Sequence, residues 1–549
     1  MDRLLTPNAR QKEWLRRGLT AFLHFGMNTF TGQEWGDGTE DPKCFNPEKL
    51  DCRQWVRVLK EAGFGTAILT AKHHDGFCLW QSAYTEHSVK NSPFKNGQGD
   101  IVREFTDACR EYGLKAGIYL SPWDRHEKTW GKPEYNDYYV NQLTELLTRY
   151  GEIWEVWWDG AGSTEAKYDW TRWATTVRRL QPNAVIFGSL GATPFVDVRW
   201  VGNERGFAGK PCWATIDASS LETETVSELN QGKVDGNRFI PAEVDVSIRP
   251  GWFYKKEQDE MVRSPKNLVG LWLTSIGRNA GLLLNVPPDK NGLLADADVQ
   301  SLTAFGAYIR ENTRENLLQG AKVTGGGCGL DALTDGKEDT FFKASENEFA
   351  VEYAFEKPTK CNVVKMEEML DFGHRVREYR VSALVGTKWK TLAQGECLGN
   401  ACIEKFDEIT ATAVKFSVTK AVDLPCIRSF GVYRFEDLPD EKPVEIKGKN
   451  LLDAPFVSVK QEGNVIDINL GGVFPFNLLT MDGKDLHAYE VRIFNGTDFD
   501  GSEKICVHYD KPVVHRFKET VDYAYRIQII VHDYPERKGK PRGVALYLE

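Results

Sequence analysis

Ile153-Trp154-Glu155-Val156-Trp157-Trp158-Asp159-Gly160 is aliphatic or aromatic at every position but Glu155, until an acid and a glycine close it. A run this apolar fits a strand covered on both faces, as in a parallel sheet wrapped by helices. A second acid-closed run follows, Val198-Arg199-Trp200-Val201-Gly202-Asn203-Glu204. Further strand-like runs are Ala21–Met27, Thr66–Ala71, Lys115–Leu120, Ala184–Gly188, Phe239–Val244 and Gly281–Asn285. Amphipathic segments separate several of them: Cys52–Ala62, Ile101–Tyr112, Tyr138–Tyr150, Thr171–Leu180 and Met261–Ile276. Eight strands in this rhythm predict an α/β chain with a (β/α)8-type barrel over residues 1–312. A doubly wound open sheet is the competitor, but no Gly-x-Gly-x-x-Gly follows any of the runs.

Past Glu311 the texture changes to short alternating runs, such as Phe349-Ala350-Val351-Glu352-Tyr353-Ala354-Phe355, punctuated by Gly, Pro, Asp and Asn. This predicts a β-sandwich over 316–436. The charged, proline-bearing stretch Phe435–Pro443 reads as a linker, and alternation resumes in Val465-Ile466-Asp467-Ile468-Asn469-Leu470. A second β-sandwich is therefore expected over 444–549.

The totals narrow the function. A net charge of −10 across 549 residues argues against nucleic acid as a partner, since phosphate binding needs a concentrated basic surface. No apolar stretch approaches the roughly 20 residues of a membrane span. The N-terminus Met1-Asp2-Arg3-Leu4-Leu5-Thr6-Pro7-Asn8 lacks the apolar core of a secretion signal. The compartment is thus read as cytoplasmic, or as periplasmic or extracellular if a signal has been removed. Eleven Cys without paired spacing suggest reduced, buried thiols rather than a disulfide frame or zinc site.

In a barrel, residues at strand C-termini surround the mouth where chemistry takes place. That rim would carry His24 and Asn28, then Glu34-Trp35, Lys72-His73-His74-Asp75, Ser121-Pro122-Trp123-Asp124, Trp158-Asp159 and Asn203-Glu204. The histidines and Asp75 raise the possibility of zinc. Adjacent residues of an extended strand point to opposite sides, however, so His73 and His74 reach one ion only if the chain turns there. Neutral imidazoles equally suit sugar hydroxyls, each ring offering one donor and one acceptor. Hydroxyl binding is the favoured reading, with no metal and no cofactor. Two carboxyls at neighbouring strand ends beside tryptophan are what double-displacement cleavage of a glycoside requires.

Six motifs, in order, carry a family resemblance. They are His24-Phe25-Gly26-Met27-Asn28-Thr29-Phe30, Glu34-Trp35-Gly36, Thr70-Ala71-Lys72-His73-His74-Asp75-Gly76-Phe77, Trp158-Asp159-Gly160-Ala161, Trp200-Val201-Gly202-Asn203-Glu204 and Glu243-Val244-Asp245-Val246-Ser247-Ile248-Arg249-Pro250-Gly251-Trp252. Together they resemble the retaining α-L-fucosidases of glycoside hydrolase family 29. The Val-Gly-Asn-Glu segment resembles the subfamily acting on α-1,3/1,4-linked fucose. The resemblance implies Asp159 as nucleophile and Glu204 as acid/base. It implies fucose contacts from His24, Glu34, Trp35, His73, His74 and Trp157, with Tyr119 matching a tyrosine that touches the sugar. Arg249 and Trp252 are members of the last motif and join the substrate-binding set on the leaving-group side. Fucosylated oligosaccharides or glycans would be the substrates. The mechanism asks the surroundings to keep Glu204 protonated and Asp159 ionised, at a carboxyl separation of roughly 5–5.5 Å. A fucose-binding lectin on a non-catalytic barrel is the alternative of another class.

Residues 316–436 resemble galactose-binding-like sandwiches of the coagulation-factor C-terminal type, through Leu333-Thr334-Asp335-Gly336-Lys337-Glu338-Asp339-Thr340-Phe341.

Overall fold

The structure is a computed structural model. It describes residues 4–161, 166–188, 192, 194–204, 206–223, 226–249, 251–439, 448–472, 474–482, 488–495, 498–506, 513–521, 524, 526–532 and 542–548. Pro250, the last part of the expected linker at 440–443, and residues 444 and 549 lie outside the described residues.

Eight parallel strands close into a barrel: β1 (Leu19–Leu23), β2 (Thr66–Lys72), β3 (Lys115–Leu120), β4 (Glu155–Trp157), β5 (Val185–Gly188), β6 (Val198–Trp200), β7 (Ala242–Ser247) and β8 (Gly281–Asn285). Each pairs with its sequence neighbour, and β1 pairs with β8 to complete the ring. Burial on both faces explains the near-continuous apolar strands; every residue of β2 is buried. Side chains alternate across β4. Trp157 joins Phe22, Ile68, Tyr119, Phe187 and Leu283 in the barrel interior, while Val156 and Trp158 join the core beneath the helices.

The helices follow their caps. Asp51 accepts from the backbone N–H of Arg53 and Gln54 to start Cys52–Glu61, Asp100 caps Ile101–Tyr112, and Asp169 caps Trp170–Leu180. Helices Tyr135–Arg149, Pro265–Thr274 and Asp296–Thr313 complete the outer ring. Two expected strands sit elsewhere. The first ends at Leu23, because a short helix takes over at Met27–Thr31. The seventh begins at Ala242, since Arg238–Phe239 instead forms a two-stranded ribbon with Thr215–Ile216 and Pro241 separates the two. Among the described residues, no helix lies between Gly188 of β5 and Val198 of β6.

Beyond the barrel the sheets are antiparallel. An eight-stranded sheet is organised around two long strands, Phe349–Glu368 and Cys402–Ala421, whose pairing register shifts along their length. A five-stranded and a three-stranded sheet follow, sharing a core that includes Ile468, Leu479, Tyr489 and Ile529. No helix of the described residues is long and apolar enough to cross a membrane.

Candidate active site

β4 delivers Asp159 to the C-terminal rim. Trp158 N–H donates to Phe187 O at 3.1 Å and extends the ladder one residue, after which Asp159 leaves the sheet on the same side as Trp157. Its carboxylate meets two donors: Tyr119 Oη–H at 3.0 Å on Oδ2 and Ala161 N–H at 2.8 Å on Oδ1. His74 Nε2 lies 3.7 Å from Oδ2. The Asp159 side chain is 27% exposed, open to an incoming molecule while anchored from behind.

The histidines gather beside it. β2 ends at Lys72 and the chain turns over His73–Gly76, where Gly76 N–H donates to His73 O at 3.0 Å, so strand alternation does not apply there. The His73 and His74 rings stand 4.1 Å apart, and His24 is 5.5 Å from His73. Their neighbours fix the tautomers. Asn28 Nδ2 donates to Glu34 O at 3.2 Å and lies 3.3 Å from His73 Nδ1, which therefore accepts and leaves Nε2 as the donor. Ser121 Oγ–H donates to Trp123 O at 2.6 Å, so its oxygen accepts from His74 Nδ1–H at 2.8 Å and leaves Nε2 an acceptor. Asn285 Nδ2 donates to Ser247 Oγ and Trp252 O, so its oxygen accepts from His24 Nδ1–H at 2.9 Å. Burial keeps all three rings neutral: it lowers His24 to about 3 and pushes His73 and His74 below the ordinary histidine range. The cluster thus presents one donor and two acceptors, the complement of a polyol. Among the described residues, no group of three or more His, Cys, Asp or Glu side chains is disposed to hold a metal ion.

Glu34 reaches across the mouth. Its Oε2 accepts from Trp252 N–H at 2.8 Å, and Lys255 Nζ stands 3.3 Å from Oε1. Burial raises the Glu34 carboxyl above its usual value despite that lysine. Trp35 is 57% exposed and meets His74 and Trp123 edge-on at 6.0 and 5.7 Å. Trp252 packs against the His24 ring at 5.0 Å. Trp157 lies beneath the mouth, stacked on Phe187 at 4.1 Å with its indole N–H donating to Glu243 at 3.1 Å.

Glu204 is itself exposed on the otherwise largely buried segment past β6, where Gly202 at φ 83° turns the chain. β4 and β6 flank β5, so their axes are two strand spacings apart, about 10 Å. Arg249 differs from its expected role. It is fully buried, with Nε on Asp298 at 3.0 Å, Nη2 on Asp259 at 2.8 Å and Nη1 on Lys255 O at 3.2 Å. With a second Nη2 bond to Asp298, these partners take four of its five N–H groups. Arg249 instead ties the loop carrying Trp252 and Lys255 to the helix at Asp298. Asn285, Glu243 and Asp245 escaped the reading of the sequence. Asn285 had a signal, as the polar end of Gly-Leu-Leu-Leu-Asn, the pattern that singled out Asp159.

A closed barrel whose mouth combines an anchored carboxylate, a second acid, neutral imidazoles and indoles defines a sugar-cleaving enzyme. The family model for Alpha-L-fucosidase matches residues 6–314. Alpha-L-fucosidase 1 of Arabidopsis thaliana is 39% identical over 450 residues, covering 78% of this chain and 87% of that protein. A glycoside hydrolase 29 family member from an unknown rumen bacterium covers all of both chains at 32% identity and TM-score 0.73. A Ruminococcus gnavus GH29 fucosidase solved in complex with fucose matches at 33% identity and TM-score 0.74, over 79% of this chain and 95% of that one. The chain belongs to the alpha-L-fucosidase family. It is therefore a glycoside hydrolase rather than a lectin.

Proposed function

We propose that the enzyme is a retaining exo-α-L-fucosidase that removes terminal α-1,3/1,4-linked fucose from oligosaccharides or glycoconjugates. The observation that carries the reading is Asp159 itself: a carboxylate at the barrel mouth, anchored through both oxygens by Tyr119 and Ala161 N–H and bordered by neutral His74. Asp159 attacks the anomeric carbon while Glu204 gives its proton to the departing oxygen. The C1–O bond breaks through an oxocarbenium-like transition state, leaving a fucosyl ester on Asp159. Glu204 then takes a proton from water as the water oxygen attacks C1 and releases Asp159, so configuration is retained. His24, His73, His74 and Glu34 hold the hydroxyls, rejecting epimers that would leave these buried groups unpaired. Trp35 and Trp252 cover apolar sugar surface. The Val-Gly-Asn-Glu segment supports the α-1,3/1,4 preference.

Proton NMR of an aryl α-L-fucoside digest tests the stereochemistry, since α-fucose must appear first and mutarotate later. β-Fucose as first product would overturn the double displacement. Release from Lewis-type trisaccharides should far exceed release from α-1,2-fucosyllactose; the reverse order would overturn the linkage assignment.

A further inference from the structure

β8 ends at Asn285, on the seam where the barrel closes. Its backbone pairs with Phe22 of β1 on one side and Ser247 of β7 on the other. The side chain is fully buried. Its Oδ1 accepts from the backbone N–H of His24 at 3.2 Å and from His24 Nδ1–H at 2.9 Å. Its Nδ2 donates to Ser247 Oγ at 2.9 Å and to Trp252 O at 2.8 Å. The amide therefore makes all four hydrogen bonds open to it. Its orientation is forced, because the His24 backbone N–H can only donate and Trp252 O can only accept. A flipped amide would oppose donor to donor and acceptor to acceptor.

The same residue of the loop after β7 reaches the other side of the mouth. Trp252 N–H donates to Glu34 Oε2 at 2.8 Å while its carbonyl is held by Asn285. One buried amide at the end of the eighth strand thus joins His24 and Glu34, both carried by the rim after the first. Titratable groups face His24 from two further elements: His73 and His74 past the end of β2, and Tyr119 on β3. Phe22, Trp252 and Phe253 pack against the same ring and carry no charge.

The choice of asparagine follows from these partners. Aspartate would accept from His24 equally well, but it would favour the imidazolium, whose two N–H groups both donate, and it would set an oxygen against Trp252 O. An apolar side chain of the same size would leave the buried His24 donors unpaired.

We propose that Asn285 is a positioning residue for sugar binding: it holds His24 as the neutral Nδ1–H tautomer, so that Nε2 accepts a fucose hydroxyl, and it ties that acceptor to Glu34 through Trp252. The inference rests on the reading that His24 holds the sugar.

Inhibition by L-fucose measures sugar binding apart from bond cleavage. Asn285→Asp should weaken it, and the ratio of its Ki to that of wild type should climb on the order of tenfold from about pH 8 to about pH 6, as the new carboxylate draws a proton onto His24. A merely structural role would weaken inhibition by one factor at every pH, and that constant ratio overturns the proposal. Nitrogen NMR of the unmodified enzyme labelled at histidine reads the tautomer directly, so the test stands even if the variant does not fold. His24, identified by the signal lost in His24→Asn, should carry its proton on Nδ1; a proton on Nε2 overturns the proposal. His24→Asn keeps a donor for Asn285 and removes the acceptor offered to the sugar. Unchanged L-fucose inhibition in that variant removes His24 from the sugar site; weakened inhibition beside a constant Asn285→Asp ratio removes only the role of Asn285.

Discussion

Glu155 opens β4 and Asp159 stands just past its end, on the same side of the sheet, yet their surroundings differ in kind. Glu155 is fully buried, and neither oxygen has a hydrogen-bond partner; the Trp14 indole approaches without bonding geometry. Burial, and with it the acidic neighbours Glu243 and Asp197, pushes its carboxyl well above the usual range. Asp159 is partly open and receives donors on both oxygens. Two repeats of the strand's pleat up the barrel axis separate the sealed acid from the supported carboxylate. Depth decides the chemistry here more than residue type does.

The sharpest break of that contrast is Asp159→Ala, which should lower kcat by on the order of 10⁴-fold or more. Azide should restore part of the turnover as β-fucosyl azide, because it attacks the face the carboxylate vacated. Glu204→Ala should cost about 10²–10⁴-fold on trisaccharides but far less on an aryl fucoside with a good leaving group. Equal losses on both substrates would refute the acid role.

Asp159 and Glu204 stand out in the sequence because each closes an apolar run, and apolar runs declare strands. The histidine-rich rim followed from the same logic once eight strands were counted. Arg249 was not legible: its motif marks it as important, but only the structure shows Asp298, from a later helix, pairing with its guanidinium. Strand boundaries also resisted reading where a short helix or ribbon abuts a strand, as at Met27 and Phe239. Chain pattern records burial, and it is silent on which buried polar groups find each other.

Arg249→Ala leaves Asp298 buried and unpaired, so it should destabilise the fold by about 3–5 kcal/mol, measured by denaturant unfolding. Unchanged stability would show that the loop does not depend on this anchor. Tyr119→Phe removes one donor from Asp159 and keeps the ring, and should lower kcat about tenfold. The smallest effect belongs to the sealed end of the strand. Burial raises Glu243 from its ordinary 4.5 to about 8, so the stability it lends when protonated is complete below pH 4.5 and is lost as pH rises toward 8. Glu243→Gln escapes that loss, and its melting temperature relative to wild type should climb across this window. A constant difference would mean that Glu243 does not hold its proton.

The central claim is that Asp159 forms a covalent bond with fucose. An activated 2-deoxy-2-fluoro-fucosyl fluoride slows the second step more than formation of the ester, so the ester accumulates for peptide mapping by mass spectrometry. The label should sit on the peptide containing Asp159 and nowhere else. Rapid, complete inactivation with the label on another side chain, or turnover of the reagent with no adduct at all, would contradict the account.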